Sequence, residues 1–510
     1  MKKFYLLIAT IAIAFFASCE ENPTDNPNGV KENPVYFTKF GFYAEEHDFI
    51  QDSIVFTNLK TTPEINVVLK RGTIIDSLKT MSPRFVCSDP SIVVTFGEAG
   101  DVLKGDGSDV LDFSMPVELY LTNGTDYYKY TVNVTVEPNN WECAAIGTDT
   151  LKTNVQVAYD SVNDKFYIMN VRRSTSSANV NPMLFSYSNG QITNAVNTES
   201  GALYVAESAS SIGLEVATDG TVYAVFGDKG ASTSGNATTL SVKNGNVAVV
   251  GERGALYKHN TSYPVSVFPI GTDIWVAGTQ NAAQGGIAKR ALNLAKFDGS
   301  SWSQGEALTG REASSYAYCP RGMIVNGVSY LQVENQQSHT LSMYKNDGSG
   351  WKTVFEGLSI LRADGNYTDT NKKLSYYHDF AVSANNDIYI LAQTQNDNEK
   401  YSLTVIKYNA TDNTQTIIGG VIPGTQTSSG GLTADLAISP AGTPYVVFEV
   451  QDGSSRNFVT YIDNNTKTWV DPEPVTNEES SDYPQIRFDK NGKGHVFTLV
   501  DNFLRVYTLK

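Results

Sequence analysis

The sequence predicts an all-β protein built in two parts, and three observations carry that expectation. Tyr (28) and Phe (23) are abundant beside 41 Gly, a composition of pleated strands joined by tight turns. Alternating apolar and polar runs recur along the chain, and no long segment has the 3.6-residue period of a helix. From residue 139 onward a single strand–turn–strand pattern repeats. With 41% hydrophobic and 18% charged residues, the 510-residue chain can bury a large core, which excludes a mainly disordered protein. Lys+Arg number 38 against 54 Asp+Glu, a net charge of −16, which argues against nucleic acid as a partner.

The first residues read as an address rather than as fold. Lys2 and Lys3 precede the uncharged apolar run Phe4–Phe16, too short for a comfortable membrane span, and small residues follow. Phe16-Ala17-Ser18-Cys19 resembles the bacterial lipobox, with Phe where Leu is usual; the resemblance implies that 1–18 is a lipoprotein signal peptide and Cys19 the lipidated residue. Glu20 and Glu21 resemble the surface-export signal of Bacteroidetes lipoproteins, implying an outer-membrane, cell-surface location. Residues 19–34, rich in Asn, Pro, Asp and Gly, read as a flexible tether to the membrane. Beyond the signal, no segment is long and apolar enough for a transmembrane helix.

Residues 35–138 carry short strand signals: Ser53–Phe56, Ile65–Leu69, Ser91–Phe96 and the alternating Tyr128–Val136. Their spacing suggests an immunoglobulin-like sandwich. Phe40-Gly41-Phe42, Asp112–Val117 and Lys129–Val134 resemble the N-terminal β-sandwich modules of Bacteroidetes surface lipoproteins, which implies a spacer beside the anchor. Glu137-Pro138-Asn139-Asn140 marks the boundary.

In 139–510 each unit runs from an alternating strand, through a polar turn, to an aromatic-aliphatic strand. Turn markers at 164, 220, 272, 327, 386, 442 and 492 give steps of 50 to 59 residues, the length of a four-stranded blade. Leu184–Tyr187, Leu294–Trp302, Leu341–Trp351, Val405–Ile418 and Thr460–Trp469 supply the second halves. The seventh unit ends in one strand, Phe503–Leu509, and Trp141–Gly147 stands orphaned before the first. Pairing them closes a seven-bladed β-propeller and hides an exposed edge. Six blades is the alternative, should the long 311–334 unit be misread.

Tyr167, Tyr223, Trp275, Tyr330, Tyr389 and Tyr445 recur once per unit, with His495 in the same place, and read as packing between sheets. Cys87, Cys143 and Cys319 are widely spaced with no C-x-x-C, which predicts core thiols rather than disulfides or zinc ligands. Asp298-Gly299-Ser300-Ser301-Trp302 and Asp347-Gly348-Ser349-Gly350-Trp351 resemble the sialidase Asp-box, a structural turn, with the Trp one residue closer. Among Arg172, Arg173, Arg253, Arg290, Arg311, Arg321, Arg362, Arg456 and Arg487, no spacing singles out an arginine triad. No phosphate loop, H-E-x-x-H, G-x-S-x-G or EF-hand pattern occurs, so no cofactor, metal site or catalytic residue is assigned. Asp52-Ser53-Ile54, Asp76-Ser77-Leu78, Asp149-Thr150-Leu151 and Asp160-Ser161-Val162 resemble the Bacteroidetes O-glycosylation pattern.

A propeller puts the starts of its innermost strands and the ends of its second strands on one face. The starts are Tyr263-Pro264, Ser315-Tyr316, Tyr377-His378-Asp379, Ala434-Asp435 and Asp482-Tyr483-Pro484; the ends include Arg172-Arg173, Gln280-Asn281, Glu334-Asn335 and Gln451-Asp452. Aromatic rings beside amides and carboxylates suit sugar recognition, which makes Tyr263, Tyr316, His378, Asp379, Asp482, Tyr483 and Arg172 the candidate ligand-binding residues. The expected function is non-enzymatic glycan binding at the cell surface. The alternatives are a propeller glycoside hydrolase or polysaccharide lyase using Asp379, Asp482 and His378, and a protein–protein scaffold.

Overall fold

The computed structural model describes residues 34–47, 49–50, 52–71, 73, 75–98, 100–152, 155–172, 181–198, 200–204, 209–228, 236–259, 263–306, 308, 317–375, 378–451, 455–476 and 484–510. The chain divides into two compact units at Val136/Glu137. Among the described residues one short 3-10 helix, Ile75–Thr80, interrupts an otherwise all-β chain.

The N-terminal unit has two sheets. Phe37–Phe42 pairs antiparallel with Ile54–Thr57 on one side and Arg84–Cys87 on the other. In the second sheet Glu64–Leu69 runs parallel to Tyr127–Val136, which pairs with Val117–Thr122, followed by Val93–Phe96. The strict alternation of Glu64–Leu69, exposed and buried by turns, is the signature of a strand with one face in a core. Both sheets contribute to that one core: Phe37, Phe40, Phe42, Ile65, Val67 and Tyr130 are fully enclosed, and the Tyr130 hydroxyl donates to Leu59 O at 2.6 Å. The aromatic rings cross edge to face, with Phe42 and Phe113 centroids 5.0 Å apart at 88°.

The second unit consists of seven four-stranded antiparallel sheets. The innermost strands, in chain order, are Gln156–Asp160, Ala209–Val216, Ser266–Ile270, Ala317–Val325, Asp379–Val382, Ala434–Ile438 and Gln485–Phe488. Each lies against the next, and the seventh lies against the first, so the sheets form a closed ring. We number these sheets blades 1 to 7. Blade 7 takes its outermost strand from the start of the unit: Trp141–Thr150 pairs antiparallel with Phe503–Leu509. The edges that the two ends of the unit would expose are thereby joined.

Packing between blades follows the sequence pattern. Second strands such as Ile388–Gln395 and Gly494–Val500 are buried on both faces because a neighbouring sheet covers each face. The recurring aromatic position carries Tyr330 and Tyr389, both buried. Lysines of the adjacent strand cover its rim: Lys296 stands 5.4 Å from the Trp275 ring centroid and Lys407 stands 5.7 Å from that of Tyr389. Tryptophans at the outer rim clamp the preceding blade. Trp302 Nε1 donates to Val250 O at 3.0 Å, and Trp469 Nε1 to Gly420 O at 3.3 Å.

Two expectations change. The fourth strand of blade 6 is Glu473–Pro474 rather than a strand reaching Trp469. Trp469 bridges back to Ile462 while its ring packs on Gly419 of blade 5, where an added Cβ would sit 2.9 Å from the indole. Of the three described cysteines, only Cys319 is buried; Cys87 is half-buried and Cys143 is exposed. Cys143 sits on the outermost strand of blade 7.

Candidate functional site

Every innermost strand turns one edge toward the ring's centre, where its N–H groups have no further strand to pair with. At three successive junctions a side chain of one blade supplies the missing acceptor. Asp379 Oδ2 accepts from Leu436 N at 3.0 Å, Asp435 Oδ2 from Ile486 N at 2.9 Å, and Gln485 Oε1 from Val157 N at 2.9 Å. These three acceptors hold one structural place, two residues before the partner of the recurring aromatic (Ala381↔Tyr389, Ala437↔Tyr445, Arg487↔His495).

The same place in blades 2, 3 and 4 carries Gly213, Ser266 and Arg321. The Val265 carbonyl packs onto Gly213 so closely that an added Cβ would lie 2.2 Å from it. Ser266 Oγ donates to Pro320 O at 3.1 Å. Arg321 Nη1 stands 3.8 Å from Asp379 Oδ1, linking blade 4 to blade 5.

The ring's centre therefore holds an unusual set of charges. Arg487 Nη1 donates to Asp435 Oδ2 at 2.6 Å and Nη2 to Gln485 Oε1 at 3.2 Å; 29% of the Arg487 side chain remains accessible, so solvent reaches it. Burial raises the Asp379 carboxyl to about 6; Arg321 opposes the shift and the neighbouring Asp435 adds to it. Burial raises Glu215 of blade 2 to about 7, against a hydrogen bond from Val216 N at 3.0 Å and the field of Arg487. Two carboxyls at the centre of one ring thus titrate close to neutrality.

A second polar group lies between blades 4 and 5. Gln332 and Glu334 are two apart on the strand Val328–Asn335 and share a face. His378 Nδ1 lies 2.8 Å from Gln332 Oε1 and the imidazole is fully enclosed. Its pKa is held well below the usual histidine value by burial, and Arg321 pushes the same way. Burial raises the Glu334 carboxyl, with His339 Nδ1 3.8 Å away opposing it. His378 Nε2, Gln332 Nε2, both Glu334 oxygens and both polar atoms of Gln393 have no hydrogen-bond partner among the described residues. Orphaned buried polar atoms are what a bound group or ordered water would satisfy.

Between blades 5 and 6 the same face opens into a cavity of about 510 Å³. Gln426, Thr427, Ser428, Ser429 and Gly431 form one wall, on the connection from Thr414–Val421 to Ala434–Ile438. Glu449 and Val450, at the end of the second strand Pro444–Gln451, form the other. The connection is pinned. Tyr401 and Thr427 exchange backbone hydrogen bonds at 2.8 and 2.9 Å, Thr425 Oγ1 donates to Ile422 O at 2.7 Å, and Ser375 Oγ donates to Gly430 O. Glu449 is 3% exposed and its Oε2 accepts from Thr433 Oγ1 at 3.0 Å. The volume lies within the range of small-molecule pockets, roughly 300–1,000 Å³. Its walls offer amide, hydroxyl and carboxylate groups.

Of the residues singled out from sequence, the structure brings His378 and Asp379 together, at the start of blade 5 and beside Arg321. Arg172 lies elsewhere, at the end of the second strand of blade 1, with Nη2 2.9 Å from Asp149 Oδ1 and Nη1 3.4 Å from Ser200 O. Tyr263 is half-buried just before the innermost strand of blade 3. Cys19, Tyr316, Asp482 and Tyr483 lie outside the described residues. Sequence reasoning missed Glu215, Arg321, Arg487 and Glu449. The first three carried a signal, since each is the one charged residue of its innermost strand.

Comparison of the sequence matches the chain to no family model and to no curated protein. Solved structures similar in fold include an ulvan lyase of polysaccharide lyase family PL25, at 10% identity over 57% of this chain and 81% of that one, TM-score 0.40. The NanB sialidase of Streptococcus pneumoniae is similar at 10% identity over 94% of this chain and 93% of that one, TM-score 0.38. The lectin of Aleuria aurantia is similar at 11% identity over 59% of this chain and 91% of that one, TM-score 0.35.

Proposed function

We propose that the protein binds a glycan in the cavity between blades 5 and 6 and does not cleave it. The observation that carries this reading is the pinned wall of Gln426, Thr427, Ser428 and Ser429 facing the buried carboxylate of Glu449 across about 510 Å³. A polyhydroxylated ligand exchanges its water hydrogen bonds for these groups one for one, and a wall already held in place spends little ordering entropy on binding. Two of the three acid/base candidates, Asp379 and His378, support a binding role: Asp379 holds Leu436 N and faces Arg321, and His378 is sealed against Gln332.

The test is affinity electrophoresis of the full chain in gels cast with a panel of polysaccharides. At least one polysaccharide retards the protein, Glu449→Gln and Gln426→Ala each abolish the retardation, and no reducing ends or unsaturated products appear in solution. Unchanged mobility of both variants overturns the assignment of the cavity. A second reading, a hydrolase or lyase, draws on the raised carboxyls of Asp379 and Glu334. Product release that is lost in Asp379→Asn would establish it in place of the first.

The proposal extends to location. Cys19 carries the lipid, residues 19–34 are the tether, and the N-terminal unit, taken as an immunoglobulin-like module, spaces the ring from the outer membrane. Wild type incorporates labelled palmitate and sediments with membranes, and Cys19→Ala does neither. A Cys19→Ala form that still sediments contradicts the anchor.

A further inference from the structure

The place that ties an innermost strand to the next blade makes a hydrogen bond across the junction in blades 3, 5, 6 and 7. In blade 4 it does not. Arg321 occupies the place there, and none of its nitrogens has a hydrogen-bond partner among the described residues; its ion-pair partner, Asp379 Oδ1, stands 3.8 Å from Nη1. Nε is enclosed, whereas the Nη1 and Nη2 end of the fork reaches the accessible surface, and 19% of the side chain is exposed. A β-bulge between Tyr318 and Arg321, with Cys319 in the left-handed region at φ 47°, bends the strand just before it. Closure of the ring therefore makes no use of this guanidinium's donors. A largely buried cation without an acceptor carries a desolvation cost that a bound anion would offset.

The surroundings select the anion. Two open terminal nitrogens on one fork match a planar carboxylate through two parallel N–H···O bonds. Burial favours the neutral forms of His378 in blade 5 and of Cys319 and Glu334 in blade 4. Asp435 is tied to Arg487 and Ile486 N, and Glu215 lies in the field of Arg487. Asp379 is thus the carboxyl that competes for Arg321, and burial raises it to about 6. Below that pH it is protonated and leaves the guanidinium to another anion; above it, its charge takes Arg321 and repels the newcomer. Asp379 feels both Arg321 and Arg487, so the two guanidinium groups flank one space. Gln156, the equivalent residue of blade 1, and Glu215 are half-buried at the same centre. Such groups pair with hydroxyls, which points to a polyhydroxylated body behind the carboxylate.

We propose that the centre of the ring binds a carboxylated sugar, a uronic acid, with its carboxylate on Arg321 Nη1 and Nη2 and its hydroxyls toward Arg487. Protonation of Asp379 opens the site. It uses no residue of the blade 5–6 cavity and stands or falls separately from that reading.

The test is calorimetric titration of the full chain with glucuronate, glucose, glucose 6-sulfate and acetate at pH 5 and pH 8. At pH 5 glucuronate binds about tenfold or more tightly than each of the other three, and its affinity falls about tenfold or more by pH 8. Arg321→Gln keeps the melting temperature of the wild type, because it breaks no hydrogen bond, and loses the glucuronate signal. Asp379→Asn, which still accepts from Leu436 N, binds glucuronate as tightly at pH 8 as at pH 5. Glu449→Gln retains the wild-type signal. Glucose, glucose 6-sulfate or acetate binding as tightly as glucuronate, binding that survives Arg321→Gln, a pH dependence that survives Asp379→Asn, or a signal lost in Glu449→Gln each overturn the proposal.

Discussion

The ring solves one problem in two ways. From blade 5 through blades 6 and 7 to blade 1, the gap between innermost strands is bridged by long polar side chains, Asp379, Asp435 and Gln485, each holding a backbone N–H of the next blade. From blade 2 through blade 3 to blade 4 the same place carries Gly213 and Ser266, and the backbones approach directly. The polar arc keeps carboxylates and a guanidinium at the centre of the ring and has the blade 5–6 cavity beside it. The small-residue arc gains close contact, and Glu215 of blade 2 is the raised carboxyl that it places at the centre. Where a fold needs only closure, small residues suffice; where charges are retained at the cost of desolvation, a role beyond closure is indicated.

The comparison predicts its own tests. Asp435→Ala has the largest effect, because it removes the acceptor of Ile486 N and the partner of Arg487 in one step. The expected loss is about 3 kcal/mol in urea unfolding, and Asp435→Asn, which can still accept from Ile486 N, recovers about half. Gly213→Ala probes the other arc. Its methyl would press on the Val265 carbonyl, a backbone atom that cannot rotate away, and the expected cost is about 1–3 kcal/mol. If Gly213→Ala were neutral while Asp435→Ala remained costly, close contact would not be what joins blades 2 and 3.

Glu215→Gln sharpens the electrostatic half of the argument. Glu215 is raised to about 7 in the folded chain, so the folded state holds its proton where the unfolded state has released it. That contribution to stability is present at acid pH and disappears as pH rises from about 4.5 through 7. Glu215→Gln therefore stabilises the ring at pH 7 and changes nothing at pH 4, read from melting temperatures across that range. A variant with the same pH slope as the wild type removes Glu215 from the account. The smallest effect belongs to Asp298→Ala. Asp298 accepts from Ser301 N, Ser300 Oγ and Ser300 N in an exposed turn of blade 3, and these hydrogen bonds lower its carboxyl to about 2. Because all three donors meet water when it is gone, the expected loss is under about 1 kcal/mol.

Much of the strand layout is legible in the sequence because period-2 alternation and turn residues are local signals. Tyr127–Val136, the aromatic second strands and the pairing of Trp141–Thr150 with Phe503–Leu509 all follow from them. The last needs one further physical premise, that a ring hides its edges. Trp469 shows where local reading stops. Its place is set by the glycine gap at Gly419 in a different blade, which no window around residue 469 contains. The candidate site was less legible for the same reason. Gln426–Ser429 reads as an ordinary polar connection, and only the buried Glu449 opposite gives it a partner. His378 and Asp379 were visible as unusual residues at a strand start, but the burial that decides what they can do comes from Gln332, Arg321 and Leu436 on neighbouring blades.

Hydrogen–deuterium exchange of the full chain, with and without the polysaccharide that retards it most, tests the central claim directly. Added protection at 424–432 and 449–450, absent in Glu449→Gln, is the predicted result. Protection confined to other blades, with 424–432 exchanging as before, contradicts the account.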